Sequence, residues 1–216
     1  CSITSKVFDN FPQKINMGMS EKQIASIFKK KLIESGADYI QYLACASGFN
    51  GYNQIICNPT DRVTKDGDIL IIDTGSTLNG YFCDFDRNFG FGNISQKSLD
   101  AYNKLWDATE KTLEIIKPGI SCKEIYESLS KNLFLNNIKS KVGRMGHGFG
   151  LQLTEPPSIM IDDNTILEKN MILALEPSIE IENGLILVHE ENVLITENGN
   201  RLLTTRTPKE LPVINV

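Results

Sequence analysis

The sequence predicts an α/β fold made of two similar halves, and three observations point to it. With 216 residues and 41% hydrophobic content, the chain suits one large domain or two fused halves around a real core. A glycine followed by a helix-capping signature occurs twice. An apolar run ending on a carboxylate, followed by a turn and a second acid-bearing strand, also occurs twice.

In chain order, residues from Cys1 onward open directly in helix-like sequence, with no Met and no signal-peptide pattern. Residues 1–216 therefore read as one domain trimmed from a longer protein, and a preceding N-terminal domain is expected. Gly18-Met19-Ser20-Glu21-Lys22-Gln23-Ile24 places a turn glycine before a capping box, Ser20 with Gln23, and starts a helix over 21–35. Asp66-Gly67-Asp68-Ile69-Leu70-Ile71-Ile72-Asp73 reads as a buried strand ending in a carboxylate. Asn79-Gly80 is a hairpin turn, and the returning strand carries Asp84. A helix over 96–116 stops before Pro118-Gly119.

The second half repeats this order. Gly119-Ile120-Ser121-Cys122-Lys123-Glu124-Ile125 has the same glycine and capping box, Ser121 with Glu124, and starts a helix over 122–136. Lys169-Asn170-Met171-Ile172-Leu173-Ala174-Leu175-Glu176 matches the first acidic strand. The turn Glu182-Asn183-Gly184 leads back to Glu190.

Register decides whether these acids meet. With Asn79-Gly80 as a two-residue turn, Asp84 lies opposite Gly75 and Asp73 opposite Asp86. Alternation then sends Asp73, Asp84 and Asp86 to one face. In the second hairpin a three-residue loop over 182–184 puts Glu176 opposite Glu190, whereas a two-residue turn would separate them. The clustering register is the one expected.

Four carboxylates so placed would repel one another and resist ionisation. Two divalent cations would neutralise them with hard oxygen donors, and such a pair can polarise a carbonyl and activate water. The alternative is an ion-pair network with arginine, for which these stretches offer only Arg87 and Arg144. His147, in Gly146-His147-Gly148-Phe149-Gly150, joins the candidates because flanking glycines admit a close backbone approach. His189 and Cys83 each neighbour an acid in sequence, so alternation turns them to the opposite face. Glu191 is expected to face away as well. Asp86 and Arg87 read either as a pair that orients Asp84 or as a plain salt bridge.

Composition narrows the partners. A net charge of −5 argues against a nucleic-acid binder, and no apolar run approaches the ~20 residues of a membrane span. The five cysteines are widely spaced with no CxxC pair, which fits reduced thiols and a cytoplasmic protein.

Asp73-Thr74-Gly75 with Gly80-Tyr81-Phe82-Cys83-Asp84-Phe85-Asp86-Arg87 resembles the first ligand block of metallopeptidase family M24, the creatinase/prolidase/aminopeptidase P/methionine aminopeptidase superfamily. Gly146-His147-Gly148-Phe149-Gly150-Leu151 resembles its histidine block. Ala174-Leu175-Glu176-Pro177 and Glu190-Glu191-Asn192-Val193-Leu194 resemble its glutamate blocks. The resemblance implies a pita-bread α/β fold, with Asp73 on one metal, Asp84 and Glu190 bridging, and His147 and Glu176 on the other. It implies manganese first, with cobalt, zinc or iron as alternatives, and a homodimer. Glu176 and His147 would then be the catalytic pair, with Glu176 relaying protons.

Three positions depart from the Pro-specific members. Thr154, in Leu153-Thr154-Glu155-Pro156-Pro157, stands where those members have a histidine. The stretch Ile55-Ile56-Cys57-Asn58-Pro59-Thr60 lacks another, and Val188 replaces an arginine. The leading expectation is an Xaa-Pro dipeptidase or aminopeptidase-like metallopeptidase acting on small peptides, with Thr154 and Glu155 lining the substrate pocket. A hydrolase or lyase of a small amide, guanidino or carboxylate metabolite is the alternative, and a non-catalytic binding module is third.

Overall fold

The computed structural model describes residues 1–49, 51–52, 57–133, 143–182 and 184–214. Helices are α1 (Ser2–Asp9), α2 (Glu21–Glu34), α3 (Gln96–Leu113) and α4 (Cys122–Leu133). Strands are β1 (Tyr39–Ser47), β2 (Ile69–Leu78), β3 (Tyr81–Phe91), β4 (Gly146–Gly148), β5 (Glu155–Ser158), β6 (Ile172–Leu175), β7 (Ser178–Glu182), β8 (Leu185–Val188), β9 (Glu191–Ile195), β10 (Asn200–Leu202) and β11 (Val213–Ile214). One sheet runs β1-β2-β3-β11, a second β10-β9-β6-β4-β5, and β7 pairs with β8.

The internal repeat is structural. Ser20 caps α2 in a complete capping box with Gln23. Ser121 exchanges the same two bonds with Glu124 at the start of α4. Gly18 and Gly119, both at φ 91°, donate their N–H groups to Thr64 and Leu167 carbonyls. Ser20 bridges Val63, and Ser121 bridges Ile166. Each half therefore ties its helix start to the segment leading into its acidic strand.

Alternation on the first sheet separates two cores. Leu70, Ile72, Cys83, Phe85, Phe89 and Phe91 face α1 and α2, where Phe8 and Phe11 pack against Phe28. Ile69 and Ile71 face the other way, toward α3 and β8. Asp73 continues that second face. In the second half α4 packs on β6 and β9 through Ile125, Leu129, Leu173 and Val193.

Several boundaries differ from expectation. The helices expected over 21–35 and 96–116 end at Glu34 and Leu113, and the end of 122–136 lies outside the described residues beyond Leu133. β2 does not stop at Asp73 but continues to Leu78, because β1 covers it along that length. The second hairpin is not a plain three-residue loop. Glu182 pairs with Leu185, and the register shifts between Glu180 and Glu182, so the extra residue is a bulge within β7. Asn183 itself lies outside the described residues. No helix among the described residues is long and apolar enough to cross a membrane.

Candidate metal centre

Asp73 and Asp84 reach the site from the long β2–β3 hairpin. Asn79 (φ 52°) and Gly80 (φ 82°) supply the two left-handed residues that the tight turn needs. That turn sets the ladder in which Gly75 faces Asp84 and Asp73 faces Asp86, the register expected. On the second half, Ser178 faces Val188 in the β7–β8 ladder and Leu175 faces Glu191 in the β6–β9 ladder. These are the same register, so Glu176 and Glu190 lie across from each other where the two ladders break. His189 N–H donates to the Pro177 carbonyl in that gap at 3.1 Å.

His147 lies on β4, between β5 and β6. Its glycine neighbours make that position accessible: a Cβ on Gly146 would come 2.4 Å from the Ala174 carbonyl oxygen, and one on Gly148 equally close to the Pro156 carbonyl oxygen. The buried ring places Nδ1 2.8 Å from the Gly148 carbonyl. A proton on Nδ1 then leaves the Nε2 lone pair for a ligand. Nε2 points at Asp84 Oδ2 (3.5 Å) and Glu176 Oε1 (3.9 Å). Burial, then the nearby Arg144 charge, holds the imidazole down at about 4 despite its bond to Gly148, so it is neutral at pH 7.

Asp84, His147 and Glu190 bring their ligand atoms within 4.8 Å of one another. Glu176 joins through His147. Asp73 stands beside them, with Oδ2 accepting from Tyr42 (2.8 Å) and Tyr52 (3.3 Å), while its buried Oδ1 has no hydrogen-bond partner. Burial pushes the Asp73 carboxyl up to about 6. Burial, then the charges of Asp73 and Glu176, pushes Asp84 up to about 9. Burial, then the charges of Asp84, Asp73 and Glu176, holds Glu190 well above the carboxylate range. Glu176, also raised by burial to about 7, is the acid with a cationic partner, the Arg144 Nε at 3.0 Å. One guanidinium does not neutralise this cluster. The donor set, four carboxylates and a neutral imidazole with one carboxylate oxygen unpaired, fits divalent metal ions.

Other expected residues have different surroundings. Arg87 does not pair with the Asp86 carboxylate. Its guanidinium donates to the carbonyls of Asp86 (2.6 Å) and Glu190 (2.8 Å), and it pairs with Glu191 (3.1 Å). The orienting contact therefore goes to Glu190 rather than Asp84, because Arg87 sits on the opposite face from the acids of its own strand. Asp86 is fully buried beside Asp73, its Oδ2 accepting from Asn88 at 3.1 Å. Glu191 faces away into a buried hub with Arg87, Arg206, Thr204 and Thr207. Cys83 lies behind the sheet with Thr4 and Ser76, and the His189 ring packs edge-on against Tyr102. Glu155 accepts from the Gln152 N–H at 2.7 Å, closing its own loop, and Thr154 is exposed. Tyr42 and Tyr52 were not anticipated. Tyr42 had a signal, since it faces Gly75 across β1–β2 and so shares the Asp73 face, whereas Tyr52 comes from a loop with none.

The family model for metallopeptidase family M24 matches residues 1–197. An Xaa-Pro dipeptidase of Pyrococcus horikoshii is 28% identical over 98% of this chain and 60% of its own length. Among solved structures, an X-Pro aminopeptidase from Thermotoga maritima superposes with TM-score 0.88 at 28% identity, covering 98% of this chain and 60% of that one. Dipeptidase PepE from Mycobacterium ulcerans gives TM-score 0.90 at 25% identity, covering 100% and 58%. The chain thus spans roughly three-fifths of the length of these relatives. With the paired halves, the pita-bread fold these structures share and a match over most of its length, the chain belongs to metallopeptidase family M24.

Proposed function

We propose that the chain carries the catalytic centre of a metal-dependent Xaa-Pro peptidase, of dipeptidase or aminopeptidase type, acting on small peptides. One observation carries the proposal: acids from both halves converge on the free Nε2 of His147 in a buried site with too little cationic charge to balance them. Two of its relatives, an Xaa-Pro dipeptidase and an X-Pro aminopeptidase, point to the same chemistry.

Asp73, Asp84, His147, Glu176 and Glu190 would hold two divalent ions, which supply polarisation of the scissile carbonyl and activation of water. Manganese suits a donor set of oxygens and one imidazole with no thiolate, and cobalt, zinc or iron are the competitors. Glu176, half-buried at the edge and 3.0 Å from the Arg144 Nε, is suited to take a proton and return it to the leaving amine. His147 stays neutral and keeps its lone pair inward. Arg87 holds the Glu190 carbonyl, and Asp86 lies opposite Asp73 on the same face, bonded to Asn88. Thr154 and Glu155, on the rim beyond β4, are proposed to meet the substrate. Free thiols at all five cysteines support a reducing compartment such as the cytoplasm. A homodimer, implied by the family resemblance, is tested by sedimentation.

The experiment strips the protein with chelator, reloads it with manganese, cobalt, zinc or iron(II), and assays Xaa-Pro dipeptides and longer peptides with Xaa-Pro at the N-terminus. Metal-dependent cleavage that disappears in Asp84→Ala is the expected result. Tight metal binding without peptide cleavage would reject the peptidase reading in favour of a small-metabolite substrate.

A further inference from the structure

Within its sheet β3 is unevenly covered. β2 pairs along its whole length, whereas on the other edge, among the described residues, only Gly90 and Phe91 meet a partner strand, β11. Asp84, within β3, thus turns its peptide groups toward the seam between the halves, where no strand among the described residues receives them. The side chain of Asn192, fully buried on β9, receives both. Its Oδ1 accepts from the Asp84 N–H at 3.2 Å, and its Nδ2 donates to the Asp84 carbonyl. A side-chain amide carries the same donor and acceptor as a peptide group, so it can stand in for a missing strand.

The seam is also tied in the opposite direction. Arg87 donates to the Glu190 carbonyl at 2.8 Å, and Asn88 donates to the Val188 carbonyl at 2.6 Å. Asp84 and Glu190, which cluster with His147, are therefore each held through the backbone by a side chain from the other half. Asp84 lies on β3 and Glu190 between β8 and β9, so no continuous ladder fixes the distance between them.

We infer that Asn192 is a positioning residue of the metal centre: with Arg87 it sets the separation of Asp84 from Glu190 across the seam. This rests on the two-metal reading above. Ligand spacing governs affinity at such a site, and partners that orient ligands typically contribute 10–100-fold to metal binding. Asn192 contacts neither substrate nor ion in this role. Its effect is transmitted entirely through the Asp84 peptide groups.

The test titrates chelator-stripped full chain with Mn²⁺, following free Mn²⁺ by electron paramagnetic resonance, alongside circular dichroism and thermal unfolding of the metal-free protein. Asn192→Leu removes the amide at similar size. Asn192→Ser, which adds no apolar bulk, carries the measurement if the leucine variant does not fold. Asn200→Leu is the control, because the Asn200 amide holds the Leu113 and Ile116 carbonyls at the end of α3, away from the ligands. The expected result is Mn²⁺ binding weakened about 10-fold or more in the Asn192 variant with the metal-free fold retained, against less than about twofold in the control. Unchanged affinity in the Asn192 variant, or an equal loss in the control, overturns the positioning role. Absence of Mn²⁺ binding by the unsubstituted protein would instead overturn the two-metal reading itself.

Discussion

Replacing Asp84 with asparagine should stabilise the metal-free protein and remove its stabilisation by metal. The Asp84 carboxyl, ordinarily at 3.8, is pushed up to about 9 by burial and then by the charges of Asp73 and Glu176. Between those values the folded state binds a proton that the unfolded chain does not, so stability falls as pH rises through the window. At pH 7 about three pH units of it have been crossed, at about 1.36 kcal/mol each, giving a ceiling of ~4 kcal/mol. Water entering the cleft and proton sharing with Glu190 lower this, and about 2 kcal/mol is the expected gain. For a chain of this size that raises Tm by about 4–8 °C. His147 works in the opposite sense, because its pKa is depressed and its contribution grows from about pH 4 to 6.5. It is present in both proteins and cancels in the difference. Metal at a hundred times its dissociation constant should add about 2.7 kcal/mol to the unsubstituted protein and far less to the variant. The assay is thermal unfolding by circular dichroism from pH 5 to 9, with chelator and with Mn²⁺. The gap between variant and parent should widen with pH. A variant no more stable than the parent in chelator at pH 8, or a gap equal at pH 5 and pH 9, would refute the reasoning.

Glu191→Gln should lower stability by about 3 kcal/mol, read as the urea midpoint, because Arg87 and Arg206 lose a fully buried counter-charge. Gly146→Ala should cost about 2–3 kcal/mol and weaken metal binding, since a Cβ at φ 151° meets the Ala174 carbonyl and pushes β4 off β6; unchanged Mn²⁺ affinity would count against the role of that close approach. Thr154→His should raise kcat/KM on Xaa-Pro dipeptides about tenfold or more by restoring a proton-transfer group. No change there would leave Thr154 outside the substrate pocket. Tyr42→Phe removes the shorter hydrogen bond to Asp73 and should weaken Mn²⁺ binding about tenfold, measured as above.

Much of the site was legible because it depends on short-range rules. The Asn79-Gly80 turn fixes the β2–β3 register, and register fixes which faces Asp73, Asp84, His189 and Glu191 take. The Ser20 and Ser121 capping boxes locate both helix starts to the residue. The second hairpin was harder to read. Its register follows from the sequence but its loop does not, since a bulge near Ile181 supplies the residue that a three-residue turn would contain. Arg87 was misplaced because alternation turned it away from Asp86, and nothing local says that Glu190 and Glu191 await it across the seam. Tyr52 and Asn192 act on groups far away in sequence, and no spacing rule reaches them.

By itself, then, the sequence determined two acidic hairpins, a glycine-framed histidine and a doubled architecture. These follow from turn chemistry, strand alternation and helix capping, each satisfied within a few neighbouring residues. Only the tertiary structure decided which groups share a site and what holds them there: Tyr42 and Tyr52 on Asp73, Arg144 on Glu176, Asn192 on Asp84 and Arg87 on Glu190. The physical reason is that burial of unpaired charge and completion of a strand edge arise only when segments distant in sequence pack together, within each half and across the seam.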